Sequence, residues 1–270
     1  MADLSRLSFN QITVNSWSLR EALDGCVRHG IPAIGLWRDK VDAAGLCQAA
    51  NLVKESGVTV SSLCRGGGFP ATTELERQKR IEDNLRAIDD AAMLGTKVLV
   101  LVCGALAGRD LEGSRSMVVD GIAAIETHAR ERGIKLGIEP LHPMYAADRS
   151  VIVSLKQARE IAARFAPESV GVVIDVFHVW HDPDLYQEIE KLQARILGFH
   201  VSDWPVPLPG ILMGRAMMGD GVIEFERIRS AIDKAGYMGP IEVEIFNQEI
   251  WDQPGDQVLD LMKRRFLECV

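Results

Sequence analysis

Val170-Gly-Val-Val-Ile-Asp175-Val-Phe-His178 decides the architecture of this 270-residue chain. Its first five residues are apolar or glycine and mostly β-branched, the composition of a strand buried on both faces, and polar groups begin only at Asp175. The chemistry therefore sits at the strand's carboxyl end. Three other runs are built the same way: Lys135-Leu-Gly-Ile-Glu139, Ile196-Leu-Gly-Phe-His200 and Pro240-Ile-Glu-Val-Glu244 each finish a short apolar strand with a Glu or a His. In a parallel barrel the carboxyl ends of all strands converge on one mouth, so Glu139, Asp175, His200 and Glu244 can meet although they are far apart in sequence. Two Glu, one Asp and one His make a divalent-metal ligand set. Hard oxygen donors tilt it toward Mn²⁺ or Mg²⁺, with Co²⁺ and Zn²⁺ also suited.

Working outward, the first strand is expected over Ser8 to Val14, with Ser18 capping a helix that Gly30 ends. Ala33 to Trp37 reads as the second strand, followed by a helix from about Asp42 to Glu55. Val58 to Cys64 is the third strand and runs into Arg65-Gly-Gly-Gly-Phe69-Pro70, a loop that lacks the Lys-Ser/Thr ending of a phosphate-cradling P-loop. Helices follow over Thr73 to Leu94 and Ser114 to Arg132, on either side of the strand Val98 to Val102. Further helices are expected near Leu155 to Phe165, Leu185 to Gln193 and Phe225 to Lys234. Strand and helix alternate eight times without a linker. A single α/β domain over residues 1–270, a closed (β/α)8 barrel of the usual size of roughly 250 residues, explains this order better than an open sheet.

Composition bounds the partners. A net charge of −8 without a Lys/Arg block argues against a nucleic acid held by its phosphates. No segment reaches the roughly 18 continuous apolar residues of a membrane span, and Met1 to Phe9 lacks a signal core, so a cytoplasmic protein is expected. The cysteines (Cys26, Cys47, Cys64, Cys103, Cys269) are odd in number and lack a C-x-x-C pair, which points to free thiols.

A single strand-end acid is as readily a salt-bridge partner as a ligand; four on one ring favour the metal set. His178, three residues beyond Asp175, can reach the same cavity or serve as a rim histidine. His142 follows Glu139 in a loop and is a weaker candidate, while His29 and His128 fall on helical surfaces. Arg215 lies in a long loop ending Gly219-Asp-Gly221, where it could hold an anionic or polyhydroxyl substrate. Trp17, Trp37, Trp180, Trp204 and Trp251 all follow strands and are expected around the mouth, where aromatic faces suit a sugar's C–H faces. Trp37 is the one expected to bind substrate. The same ring of aromatics would equally serve a subunit interface, which leaves a homo-oligomer open.

The chain resembles the xylose isomerase-like TIM-barrel superfamily, in the branch of ketose epimerases, hydroxypyruvate isomerases, inosose dehydratases and apurinic-site endonucleases. The resemblance spans essentially the whole chain and is carried by Gly-Ile-Glu139-Pro, Asp175-Val-Phe-His178, Phe-His200-Val-Ser-Asp203, Arg215 with Gly-Asp-Gly221, and Val-Glu244-Ile-Phe. It implies that Glu139, Asp175, His200 and Glu244 bind one metal, that Glu139 and Glu244 are also the acid and base, and that His178 and Arg215 contact substrate oxygens. Two departures matter. Tyr145 stands where the epimerases often carry a further glutamate, and Gly214-Arg215-Ala216 replaces the Asp-Arg-His triplet of the endonucleases' zinc cluster. The expected activity is a metal-dependent isomerase or epimerase acting on a small keto sugar, sugar acid or polyol through an enediolate. A dehydratase or decarboxylase acting on an oxidised sugar is the competing reading, and a non-enzymatic sugar-binding barrel a remote third.

Overall fold

In a computed structural model covering residues 3–270, eight parallel strands close in sequence order into a barrel. Met1 and Ala2, which open the amino-terminal stretch read above, lie outside the described residues. The strands are β1 (Leu7–Asn10), β2 (Ala33–Trp37), β3 (Thr59–Gly67), β4 (Val98–Val102), β5 (Lys135–Glu139), β6 (Val170–Asp175), β7 (Ile196–Val201) and β8 (Ile241–Val243). Ser8 of β1 lies opposite Glu242 of β8, and that pairing closes the ring. The chain is thus one TIM-barrel domain with helices around the sheet.

Two apolar cores form. The larger fills the space between strands and helices with fully buried residues such as Phe9, Leu36, Leu99, Ile138 and Phe199. A smaller one, Cys64, Val98, Val100 and Val173, is separate from it. Val173 shares the inward face of β6 with Asp175, two residues on. Glycines on the flanking strands make room for it: a Cβ on Gly137 would stand 2.7 Å from a Val173 methyl, and one on Gly198 3.2 Å. Small residues beside a large one are what a tapering barrel interior requires.

Several helix boundaries follow from their caps. Ser18 and Glu21 form a reciprocal capping box at the head of Leu19–His29, and Gly30 ends that helix at φ 63°. Thr73 accepts from the Glu76 amide at the head of Glu74–Leu94.

Elsewhere the structure departs from the expected boundaries. The first strand stops at Asn10, because its side chain accepts from the Ile12 amide and turns Gln11–Val14 into a 3₁₀ helix. The helix after β2 begins at Arg38 and is broken into Arg38–Ala44 and Leu46–Ser56 by Gly45 at φ 80°. Asp110, accepting from the Gly113 amide, starts the next long helix at Leu111 rather than Ser114. Gly66 and Gly67 belong to β3 rather than to a loop. A carboxyl-terminal helix, Gly255–Cys269, completes the outer ring against Leu19–His29.

Candidate active site

The strand ends bring four side chains to one point. Glu139 at the end of β5, Asp175 at the end of β6, His200 in β7 and Glu244 just past β8 each offer a ligand atom, all within 4.8 Å of one another. Register explains this: Asp175 lies opposite His200, and the Glu244 amide donates to the Val201 carbonyl. All four are buried. His200 Nδ1 is 3.4 Å from Glu139 Oε1 and 3.8 Å from Glu244 Oε2, yet neither Glu139 Oε1 nor His200 Nδ1 has a hydrogen-bond partner. Buried polar atoms are nearly always satisfied, so these orphans aimed at a common centre fit a cation among them.

Below this layer sits Glu242, two residues earlier on the same face of β8. Its carboxylate accepts from Asn10 Nδ2 (2.6 Å), Ser61 Oγ (2.7 Å) and Ser62 Oγ (3.0 Å). Gly35 creates the space, since a Cβ there would stand 2.0 Å from Glu242 Oε1. His200 Nε2 faces Glu242 Oε2 at 3.8 Å, so a carboxylate backs the imidazole on the side away from the cluster. Asn10 ties the two layers together: it also donates to Glu244 Oε1 (3.3 Å) and accepts from Trp37 Nε1 (2.7 Å).

Arg215 is fixed over the cluster. Its guanidinium carbon lies 4.8 Å from the Phe177 ring centre and 5.2 Å from that of Phe246. Nη1 donates to Asp175 Oδ2 (2.7 Å) and Glu244 Oε2 (3.1 Å), and Nη2 lies 3.1 Å from His178 Nε2. A guanidinium can only donate, so Nε2 of His178 is the acceptor and Nδ1, which has no partner, carries the ring proton. The loop bearing Arg215 hangs on Asp203, whose carboxylate accepts from the amides of Trp204 (2.8 Å), Gly219 (2.9 Å), Gly221 (2.9 Å) and Ile223 (3.1 Å).

Electrostatics separate the carboxylates. Burial raises Asp175, with Glu244 and Glu139 adding to it against the pull of Arg215. Burial also works against ionised Glu244, but Arg215 and His200 outweigh it and hold the carboxyl below the usual range. Burial opposes a charge on His200 too, yet the surrounding Glu242, Glu139 and Glu244 keep its proton far above the ordinary imidazole range. His178 is the opposite case, driven well down by burial and by Arg215.

A chamber of about 180 Å³ opens above the cluster, lined by Glu139, Glu244, His178, Arg215, Trp37 and Tyr145 among others. Trp37 therefore shares a wall with the ligand set. His142 does not line the chamber: it stacks 4.4 Å from His181 and 5.2 Å from Trp204, and burial with His181 lowers it to about 4. Trp180 joins that aromatic group, 5.6 Å from Trp204, and Trp251 stands 6.1 Å from Phe246. Trp17 is elsewhere. A Cβ on Gly25 would come 2.4 Å from its ring and one on Gly255 2.2 Å, so it wedges between the first and last helices instead of reaching the mouth. His29 pairs with Asp256 and Asp260, and His128 with Asp89, on the outer surface. Sequence reasoning misses Asn10 by carrying the first strand past it. Ending that strand on the polar residue after Phe9, as four other strands end on an acid or a histidine, finds it.

The xylose isomerase-like TIM barrel family model matches residues 23–265. The chain belongs to this family. Within the fold, a crystallised Sinorhizobium meliloti protein matches with a TM-score of 0.97 at 46% identity, covering 99% of each chain. The IolI protein, crystallised with a zinc atom, matches with a TM-score of 0.86 at 20% identity over 98% of each chain. Among curated relatives, the 3-dehydroshikimate dehydratase of Pseudomonas putida is 25% identical over 245 residues, which cover 86% of this xylose isomerase-like chain but 36% of the dehydratase. The chain thus spans about a third of that enzyme's length. The L-ribulose-5-phosphate 3-epimerase of Escherichia coli is 26% identical over 233 residues, 81% of this chain and 76% of the epimerase. The two curated relatives are enzymes, one a dehydratase and the other a sugar-phosphate epimerase. Among the described residues no helix is long and apolar enough to cross a membrane.

Proposed function

We propose that the chain is a divalent-metal-dependent isomerase or epimerase of a small keto sugar, sugar acid or polyol, moving a proton on the carbon beside a carbonyl. The observation that carries this reading is the convergence of Glu139, Asp175, His200 and Glu244 on one centre, with unpartnered ligand atoms on Glu139 and His200. A divalent ion held there would polarise a bound carbonyl and its neighbouring hydroxyl and so acidify the adjacent C–H. Three carboxylates and one imidazole favour Mn²⁺ or Mg²⁺ by their oxygen content, while the imidazole and the zinc of the IolI protein keep Zn²⁺ and Co²⁺ in the comparison.

The remaining work falls to the protein. Glu244, held ionised by Arg215, is suited to take the proton from one side of the substrate, and Glu139 is suited to return it from another. Arg215, already locked between two aromatic rings, needs little reorganisation to receive a substrate oxygen. His178 stays neutral, and its ring lines the chamber where a second one would sit. Trp37 gives the chamber an aromatic wall for the C–H face of a sugar.

The alignment with the 3-dehydroshikimate dehydratase favours a second reading, in which the same proton abstraction is followed by loss of a β-hydroxyl. Incubating the metal-loaded protein with keto sugars and oxidised sugars in deuterium oxide separates the two. Deuterium exchange with an isomeric product supports isomerisation, and loss of water or carbon dioxide supports a lyase. Absence of both exchange and product across the panel would sink the proposal.

A further inference from the structure

A second cavity, of about 450 Å³, adjoins the chamber. Arg65, Val102 and Arg149 line both spaces, so two arginines stand on the shared wall. Arg65 is aimed there by a β-bulge: Cys64 lies opposite Val100 and Gly66 opposite Leu101, which leaves Arg65 as the extra residue of β3. Arg65 contributes only its carbonyl, to Arg38, and Arg149 rests 5.6 Å from the Tyr145 ring centre. Among the described residues neither has an ion-paired or hydrogen-bonded side-chain partner.

The other charges of this cavity are mostly spent. Arg80 donates to the carbonyls of Gly68 and Pro70, and Asp83 is held by Arg38 and Arg86. Asp148 is the remaining acid, against three arginines in all. Glycine lets the backbone of the cavity floor pack closely. A Cβ on Gly67 would stand 2.1 Å from the Val102 carbonyl oxygen, and one on Gly104 2.8 Å from Gly68 backbone. Its amides are occupied, Gly67 by Asn84, Gly68 by Val102 and Phe69 by Cys103, so anion recognition here falls to the guanidiniums. The chamber's 180 Å³ is also smaller than the roughly 300–1,000 Å³ of ordinary small-molecule sites, and the larger space across the arginine wall has room for the rest of a substrate longer than the reacting unit.

We propose that Arg65 and Arg149 form an anion subsite of this active site, taking a phosphate or carboxylate at the end of the substrate remote from the reacting carbonyl. The assignment of the reacting end rests on the isomerase reading; the subsite itself does not. Binding of inorganic phosphate and of acetate to the metal-free protein, measured by calorimetry, tests the subsite alone. At least one of them should bind, and its affinity should fall at least tenfold in the Arg65→Gln/Arg149→Gln double variant. No binding of either, or binding that survives the substitutions, overturns the proposal.

D-fructose, D-fructose 6-phosphate and D-fructuronate, which differ only at the sixth carbon, then test its use on metal-loaded protein. At least one anionic sugar should bind tenfold or more tighter than fructose, and the preference should collapse in the double variant at unchanged metal content. Phosphate leading means a phosphorylated substrate, and fructuronate leading a sugar acid. If fructose matches both while inorganic phosphate still depends on the arginines, the pair is not part of the substrate site and the proposal falls. If neither metal nor any of the sugars binds while phosphate still depends on the arginines, the isomerase reading has failed and the subsite stands.

Discussion

Glu242 and Glu244 project from the same face of one strand, and their surroundings assign them different work. Three donors already satisfy Glu242, whereas Glu244 faces the cluster with His200 and Arg215. Glu244→Gln is expected to lose turnover by at least about 10²-fold, because it removes an acid–base group along with a charged ligand, and to lower bound metal. Glu242→Gln should keep its metal and lose about 1–3 kcal/mol of stability, since a buried amide nitrogen would meet donors where an acceptor was needed. Elemental analysis and urea unfolding of the two variants decide it; equal metal loss in both would mean that the layers are wrongly assigned. His200 adds a pH dependence. Without metal its raised pKa keeps the proton on at neutral pH, ligation needs the bare nitrogen, and uptake must expel that proton. Metal affinity should therefore rise with pH through the neutral range, by up to about tenfold per pH unit for one proton displaced. Calorimetry in buffers of different ionisation enthalpy would count the protons released, and a count of zero would contradict the protonated state.

At the scale of elements, the loop from Ser202 to Ile223 depends on one residue. Asp203 collects four backbone amides, that of Ile223 buried and the other three partly so, and thereby fixes where Arg215 stands. Asp203→Ala should cost at least about 1–3 kcal/mol and open this loop to protease. It should also lower kcat/KM by tenfold or more with metal content intact; an unchanged cleavage pattern would argue against the role. What is legible in the sequence follows the same physics. Strands such as Lys135–Glu139 and Val170–Asp175 are legible because a short apolar run that ends on an acid suits a doubly buried strand and little else, and the four strand-end residues converge wherever such strands close. Asn10 is hidden because Ile12 and Val14 resume an apolar–polar alternation after it, out of phase with Leu7 and Phe9, which still reads as strand although the Asn10 side chain has turned the chain into a 3₁₀ helix. Gly45 splits a helix whose two halves share a continuous polar–apolar texture. The carboxyl-terminal helix escapes a strand-centred reading although Val258, Leu259, Met262 and Phe266 mark its buried face. Arg65 and Arg149 carry no signal at all: their meeting depends on a bulge and on a void, neither of which is a property of local sequence.

For the molecule as a whole, the cluster concentrates negative charge that a cation would relieve, so metal should stabilise the fold. At a hundredfold excess over its dissociation constant the gain is about 2.7 kcal/mol, and a chelator should lower Tm by several degrees. A melting curve indifferent to both would speak against a native metal site. The protein should leave abasic duplex DNA intact, given 38 acidic against 30 basic residues and no triplet to hold a second zinc; incision at low protein concentration would overturn this. The pairing of β1 with β8 also constrains how the chain reaches its native state. Leu7 finds Ile241 only after more than two hundred intervening residues have been made, and until then β1 and the newest strand both present unpaired backbone to the surroundings. Contacts of such high order make folding slow and leave the nascent sheet prone to pairing with other copies of itself. Joining the ends with a flexible linker and reopening the chain at Gly108 would make β8 the strand before β1, with the carboxyl-terminal helix between them, and would leave β4 and β5 as the pair that closes the ring. That rearranged chain should still refold slowly, because a closed barrel opened anywhere leaves one pair of neighbouring strands far apart in sequence, and a refolding rate well above that of the natural chain would single out the β1–β8 pairing as the slow step.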